Sequence, residues 1–182
     1  MSMKYLFLIS LFLMFPFLVA CDDRSEYERL VERELDRGVR YDSLFLGYEL
    51  GMQRQDFLDH SWELNQQRVV TGGAQVQYKM KDLSAAATKI FYPDFKNDRI
   101  HRMPVEISFD AWAIWNREFH SDSLIVQLLE KYEDIYGDGF IYTHHPELGR
   151  DAWIKVDGNR RITIYPKDDR TARVEFLDLS AQ

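Results

Sequence analysis

The sequence predicts an α+β fold, a two-layer domain in which helices pack on one face of an antiparallel sheet. Residues 54–67 and 123–136 carry apolar side chains at helical spacing. Shorter segments between and after them alternate apolar and polar residues, as half-buried strands do. The chain has 182 residues, of which 46% are hydrophobic, so one domain with a substantial core can form. The element order that follows is typical of a two-layer α+β domain.

Residues 1–20 have the pattern of a secretory signal. A short cationic start, Lys4, precedes an apolar run shorter than the ~20 residues that a spanning helix needs. The run ends in Leu18-Val19-Ala20-Cys21, which resembles the lipobox of bacterial lipoproteins. The resemblance implies a cleaved signal peptide over residues 1–20 and a diacylglyceryl group (with palmitate-type chains) on Cys21. An ordinary cleaved signal and an uncleaved anchor are the alternatives.

The charge balance bears on the partners. The formal net charge is −7, which disfavours nucleic acid, because phosphate neutralisation dominates such binding. It also disfavours a basic patch on anionic lipid. We therefore expect contact with a membrane through the lipid on Cys21 alone. Asp22 resembles an inner-membrane retention signal of enteric bacteria, but the choice between inner and outer membrane stays open. The domain is expected in the cell envelope, in the periplasm or at the cell surface.

A charged helix is predicted directly after the acylated cysteine. Ser25 and Glu28 have the spacing of a capping box, and Gly38 ends the segment. The helix carries only a thin apolar stripe, formed by Tyr27, Leu30, Val31 and Leu35. We interpret residues 21–40 as a helical spacer or an element at the domain's edge, and residues 41–182 as a single domain.

The first core helix, residues 54–67, places Phe57, Leu58 and Trp62 on its apolar side. Its opposite side presents Asp56, Asp59, His60 and Glu63. That set has spacing suited to holding a metal or a proton, but a face opposite the apolar side is normally solvated, so we predict a structural role. Strands are predicted over residues 75–81, 89–92, 101–109, 152–156, 161–165 and 173–179, with a hairpin turn at 157–159.

The second core helix, residues 123–136, has its own apolar set and is followed by a second group of strands. The set is Leu124, Val126, Leu128, Leu129, Tyr132 and Ile135. The order from residue 54 is therefore helix, three strands, helix, three strands. Residues around Arg102 and Glu106 recur around Arg173 and Glu175, which suggests half-repeats over 44–109 and 121–179. Chance is the alternative, because the shared pairs are common at strand ends.

Residues 51–57, Gly-Met-Gln-Arg-Gln-Asp-Phe, resemble the helix start of small envelope lipoproteins. The group is the BamE/SmpA outer-membrane assembly factors, whose helix-then-strands unit also occurs in tandem in β-lactamase inhibitor protein. Gln53 stands where that family prefers Ser or Thr. The resemblance implies a fold and a function in binding other proteins. It assigns no functional residue here.

Residues 109–116 have the most unusual composition, with Trp112 and Trp115 beside Asp110 and Asn116. On a helix the two tryptophans would share a stripe with Phe119, and such a stripe is most often core. The alternatives are a protein-binding surface and a platform on which sugar rings stack. Trp112 and Trp115 are therefore the candidate binding residues of the chain.

His144 and His145 form the one histidine pair and are weak candidates for a metal site. Adjacent residues of an extended segment point apart, so two such histidines seldom share one ion. The sequence contains no nucleophile elbow, phosphate loop or zinc motif. We expect no cofactor and assign no catalytic residue.

Three functions from different classes remain. The favoured one is a non-catalytic, lipid-anchored protein-interaction or assembly module of the cell envelope with an unidentified protein partner. The second is a glycan-binding or cell-wall-binding lipoprotein that uses Trp112 and Trp115. The third is a hydrolase with an unrecognised carboxylate or histidine site.

Overall fold

The structure is a computed structural model, and it describes residues 24–181. The predicted signal peptide, residues 1–20, and the lipidation site Cys21 lie outside the described residues. Three α-helices are α1 (Glu26–Asp36), α2 (Arg54–Gln66) and α3 (Ser121–Tyr136). The strands are β1 (Val70–Gly72), β2 (Val76–Met80), β3 (Ala87–Phe91), β4 (Asp94–Lys96), β5 (Arg99–Phe109), β6 (Ile141–His145), β7 (Arg150–Asp157), β8 (Arg160–Pro166) and β9 (Ala172–Asp178).

The strands form one antiparallel sheet, which confirms the predicted α+β fold. Its order is β1-β2-β3-β5-β9-β8-β7-β6, and β4 pairs with the start of β5. Every predicted strand is present with bounds shifted by a few residues. The sequence missed β1, β4 and β6. The first two span three residues each, too short to show an alternating pattern, and β6 contains the histidine pair, which was considered only as a metal-site candidate.

The two halves of the sheet have the same arrangement: each consists of four strands that follow a helix and run from one edge of the sheet to its centre. α2 precedes the meander β1-β2-β3-β5, and α3 precedes the meander β6-β7-β8-β9. The last strands of the two meanders pair with each other, with Val105 opposite Val174. Two ion pairs flank this point, one from Arg102 to Glu175 and the other from Arg173 to Glu106. β4 has no counterpart in the second half.

The main core lies between the sheet and the helices α2 and α3. Both helices contribute to it: α2 through Phe57, and α3 through Leu124 and Leu128. Only Phe57 of the predicted apolar side of α2 is buried, whereas Leu58 is 43% and Trp62 65% exposed. The prediction was wrong for these two side chains because α2 lies at the β1 end of the sheet, where the strands below it are short.

Helix α1 packs on the other face of the sheet. Its capping box is present, since Ser25 accepts from the Glu28 backbone and the Glu28 carboxylate accepts from the Ser25 backbone. Tyr27 and Leu30 form a second apolar cluster with side chains of β7, among them Ile154. Ile154 alternates along β7 with Trp153, which contacts the main core, so the two clusters lie on opposite faces. The predicted arrangement, with the helices on one face of the sheet, therefore holds for α2 and α3, whereas α1 covers part of the opposite face.

Among residues 24–181, no helix combines the length and the apolar character that crossing a bilayer requires.

Candidate functional site

The residues between β5 and α3, numbers 110–116, form an exposed aromatic loop that we call the tryptophan loop. It consists of turns followed by a short 3₁₀ helix, Arg117–Phe119, rather than the α-helix that would bring the aromatic side chains together. Trp115 is 84% exposed and Ile114 67% exposed. The core interpretation is therefore wrong for Trp115. Of the expected stripe, Phe119 alone packs on the core, with its ring 5.4 Å from that of Phe109.

Trp112 fixes the loop to the body of the protein. It is half-buried, and its indole Nε1 donates to the carbonyl oxygen of Asp169 at 3.3 Å. Asp169 lies in the turn between β8 and β9, which also accepts from the backbone of Ser121 at the start of α3. The loop, this turn and the first residue of α3 are thus joined, and Trp115 projects from a supported base.

The polar neighbours of the tryptophans are already engaged within the protein. Asp110 accepts from Lys79 at 2.8 Å and from Thr88 at 2.5 Å. The Asn116 side chain accepts from the backbone of Glu118 at 3.2 Å, where it caps the 3₁₀ helix. A sugar-binding platform needs free polar groups beside the ring to hold hydroxyls. These two side chains are committed to structural bonds.

The acidic side of α2 does not form a functional cluster. Asp56, Asp59 and Glu63 are exposed, as predicted. His60 departs from the prediction, because its ring packs edge-on against Tyr48 and its Nε2 lies 2.7 Å from the carbonyl oxygen of Leu46. The histidine thus holds the segment before α2 rather than facing solvent with the carboxylates.

His144 and His145 point to opposite faces of β6, as their adjacency predicts. His144 is exposed, and its Nδ1 lies 3.2 Å from the Asp151 carboxylate. His145 is 1% exposed and stacks on Tyr27 of α1, with ring centroids 5.4 Å apart. Within residues 24–181, no group of three or more His, Cys, Asp or Glu side chains is placed to hold a metal ion.

Sequence reasoning missed a polar cluster between α1 and the sheet, formed by Tyr27, His145, Arg161 and Glu175. Arg161 is 1% exposed, donates to the Tyr27 hydroxyl at 2.5 Å and lies 3.7 Å from the Glu175 carboxylate. Burial, and next the positive charge of Arg161, lower the pKa of His145 below its ordinary value. The signal available in the sequence was Tyr27 in the apolar stripe of α1, because a helix with such a stripe needs a surface to cover.

A second buried charge lies in the main core. Lys89 of β3 is 6% exposed, and its ammonium group is 4.2 Å from the centre of the Phe45 ring. Burial, and next the positive charge of Lys131, lower the pKa of Lys89 to about 8. Aromatic faces replace part of the lost hydration of the cation.

An apolar groove runs between α3 and the strands β6 and β7; we call it the α3–β6 groove. It has a volume of about 310 Å³. α3 packs mainly over β5, β8 and β9. The strands β7 and β6, at the end of the sheet, therefore extend beyond the helix, and their side chains on this face remain exposed. Val126 is 66% and Tyr142 60% exposed, and the Tyr142 ring lies 5.2 Å from that of Trp153. The charged side chains lining it are acidic, Asp122 and Asp151.

Comparison of the chain with protein-family models, with curated proteins and with solved structures finds no match in any of the three.

Proposed function

We propose that this protein is a lipid-anchored module of the bacterial cell envelope that acts by binding another protein. The observation that carries the proposal is the concentration of large, exposed apolar side chains on one region of the surface. The tryptophan loop contributes Trp115 and Ile114, and the α3–β6 groove contributes Val126 and Tyr142. Groups of large exposed apolar side chains are typical of interaction sites in soluble domains.

The loop and the groove lie around the same turn between β8 and β9. Trp112 donates to Asp169 of that turn, and Pro166, at its start, lines the groove. Tryptophan and tyrosine are enriched among the residues that dominate binding energy at protein interfaces. A partner that contacts this turn therefore meets both sets of aromatic side chains.

A glycan platform is the second candidate, and it rests on the same exposure of Trp115. The engagement of Asp110 and Asn116 in structural hydrogen bonds favours a protein partner over a sugar. A protein interface can be built on apolar contact with a polar rim. Sugar recognition needs directed hydrogen bonds in addition to ring stacking.

The anchor is the part of the proposal that the sequence alone supports. It rests on the lipobox resemblance of Leu18-Val19-Ala20-Cys21. Each buried methylene of an acyl chain contributes about 0.8 kcal/mol, and stable attachment takes more than one chain. Replacement of Cys21 with Ser should abolish labelling by radioactive palmitate and leave an unprocessed precursor. Normal processing of Cys21→Ser would refute the anchor.

An internal duplication of the mature domain is part of the same proposal. It is supported by the matching helix-then-meander halves and by the ion pairs Arg102–Glu175 and Arg173–Glu106, which join the halves reciprocally. Two more residues separate Arg102 from Val105 than separate Arg173 from Val174. An even number leaves the arginine on the same face of its strand.

Site-specific photocrosslinking tests the binding function. The full chain carries a photoreactive amino acid at Trp115 in one strain and at Gln66, an exposed residue at the end of α2, in the control strain. We expect a discrete protein adduct from position 115 that is absent from position 66. Equal adducts from both positions, or none from 115, contradict the proposal. Retention of the protein on isolated cell-wall polymer that is lost in Trp115→Ser would favour the glycan alternative.

A further inference from the structure

Strand β6 forms one end of the sheet, and its outer edge is free. Among residues 24–181 it pairs with β7 alone, through five consecutive residue pairs from Ile141 opposite Ile154 to His145 opposite Arg150. Alternate residues of an edge strand direct their N–H and C=O groups away from the sheet. β6 therefore offers a row of unpaired backbone groups.

The edge at β6 lacks the features by which proteins block such pairing. Its sequence, Ile-Tyr-Thr-His-His, contains no lysine or proline, and its register with β7 is continuous, without a bulge. Lysine, proline, bulges and short length are the usual protections of an edge strand. The opposite edge, β1, has such a protection, because it spans only three residues, Val70–Gly72. The two ends of the sheet thus differ in their capacity to accept another strand.

The α3–β6 groove lies directly beside this edge and supplies side-chain contacts for an added strand. Tyr142 and His144 of β6 point to the α3 side, where Trp153 and Val126 form apolar walls. A strand paired with β6 directs every second side chain to the same side. Backbone pairing then provides affinity, and the groove selects the side chains, which is the usual division in recognition by strand addition.

We propose that β6 is the docking strand for an extended segment of a partner protein, which pairs with the free edge and places apolar and basic side chains against the α3–β6 groove. The charge of the groove sets the basic requirement. Asp122 and Asp151 line it without a lysine or arginine, and the chain carries a net charge of −7. The inference rests on the proposed protein-binding function and names the class of partner.

A second copy of this chain is a poorer occupant. Pairing of β6 with β6 of a second molecule would bring together two strands of which each lies beside Asp122 and Asp151. Like charges placed against each other oppose association. The segment Ile141–His145 contributes no arginine or lysine to offset them. A basic segment from another protein meets the same surface with charge complementarity.

Selection from a displayed library of random peptides tests the inference on the full chain, purified from membranes in detergent. The peptides are about ten residues long, enough to span a five-residue edge strand with flanks. We expect enrichment of sequences that alternate apolar residues and contain Lys or Arg. Selected peptides should bind Tyr142→Lys at least about tenfold more weakly, because apolar contact is replaced by charge repulsion. Ile135→Lys is the matched control, since Ile135 is a 57% exposed apolar residue of α3 that does not line the groove.

Methylation of alternate backbone nitrogens in a selected peptide separates strand pairing from side-chain contact. It should weaken binding by about tenfold or more, the effect of losing two hydrogen bonds of ordinary strength. In ¹⁵N-labelled protein, the selected peptide should slow hydrogen exchange of outward amides of β6. Equal binding of the methylated peptide, enrichment of acidic peptides, or no enrichment at all would overturn the inference. So would dimers of the free chain that Tyr142→Lys dissociates.

The outcomes distinguish the inference from the broader function. A crosslink from position 115 together with failure of peptide selection removes the β6 inference and keeps the binding function. Failure of both removes both.

Discussion

Val105 of β5 and Val174 of β9 are Cα partners at the junction of the two halves of the sheet. Both are fully buried, and the flanking ion pairs Arg102–Glu175 and Arg173–Glu106 lie on the α1 side. The two carboxylates differ in burial, since the side chain of Glu175 is 6% and that of Glu106 34% exposed. Equivalent positions in the two halves therefore differ in electrostatic environment.

This difference predicts unequal effects of two matched substitutions. Glu175→Gln should lower the free energy of unfolding by about 3 kcal/mol, because the buried Arg161 then keeps only its exposed carboxylate partner, Glu147. Glu106→Gln should lower the free energy of unfolding by no more than about 1 kcal/mol, because solvent screens the ion pair between Glu106 and Arg173. Urea unfolding of the two variants provides the comparison. Equal losses would show that the burial of Glu175 is not what determines its contribution.

Trp115 should be dispensable for folding. Trp115→Ser should change the free energy of unfolding by less than about 0.5 kcal/mol, as is usual for an exposed site. Phe109→Ala, at the end of β5 directly before the tryptophan loop, should cost about 3 kcal/mol or more, because that ring is fully buried. Thermal unfolding followed by circular dichroism measures both. A large loss for Trp115→Ser would place the residue in the core after all.

The lowered pKa of Lys89 predicts that its contribution to the stability of the fold increases at alkaline pH. Its folded-state pKa of about 8 lies below the ordinary value of 10.5, so between these values the unfolded chain binds more protons. The Lys89 contribution to stability should therefore rise between pH 8 and pH 10.5. At pH 7, Lys89→Met should stabilise the fold by at most about 3 kcal/mol, since it removes a desolvated charge but also its contact with Phe45.

The pH profile of Lys89→Met provides the check. The stabilisation relative to the unaltered protein should shrink as the pH approaches 10, and Lys81→Met, at an exposed position, should show no such trend. A constant difference from pH 7 to pH 10 would contradict the titration of Lys89 in this range.

The lowered pKa of His145 predicts that the fold loses stability in acid. Its pKa is lowered in the folded state, so as the pH falls below about 6.5, the ordinary value, the unfolded chain takes up the proton first. The contribution of this group is thus present at neutral pH and lost on acidification. His145→Phe should flatten the unfolding profile in this range, whereas His144→Gln, on the exposed side of β6, should not. Identical acid profiles for the unaltered protein and His145→Phe would be the contrary result.

Gly158, in the turn between β7 and β8, is predicted to be irreplaceable. Its φ is +51°, and an added Cβ would lie 2.0 Å from the carbonyl oxygen of Val39. Gly158→Ala should cost about 3 kcal/mol or more, through strain and displacement of that segment. Gly149→Ala is the control, because its φ is +60° with no atom within 4 Å, and it should cost about 1 kcal/mol. Chemical denaturation of both separates the clash from the strain.

Local patterns predicted most of the elements but not their surroundings. The capping box at Ser25 and the turn at Gly158 are encoded by adjacent residues, and both are present. Which side of α1 is covered depends on the far end of the chain, since Tyr27 contacts His145 and Arg161. No periodicity within α1 contains that information.

The tryptophan loop and the groove were harder to predict for the same physical reason. Composition alone predicts that large aromatic side chains are buried. Trp115 is exposed because the chain turns after Phe109 and continues in a short 3₁₀ helix. Val126 belongs to the apolar set of α3, yet it is open because the sheet extends beyond the helix. Candidate binding residues could be chosen from the sequence at Trp112 and Trp115. The groove could not, because it depends on how far one layer overhangs the other.

The positions of α1 and of the groove on opposite faces of the sheet give the protein a directional character. If Cys21 is acylated as proposed, four residues lie between the acylated cysteine and the start of α1, and the five steps along the chain span at most about 17 Å. So short a linker limits how far the domain can rotate relative to the bilayer. The sheet then acts as a partition, with the tethered helix on one side and the docking strand's groove open on the other. A partner would be bound within a limited height above the membrane, on the side of the sheet away from α1.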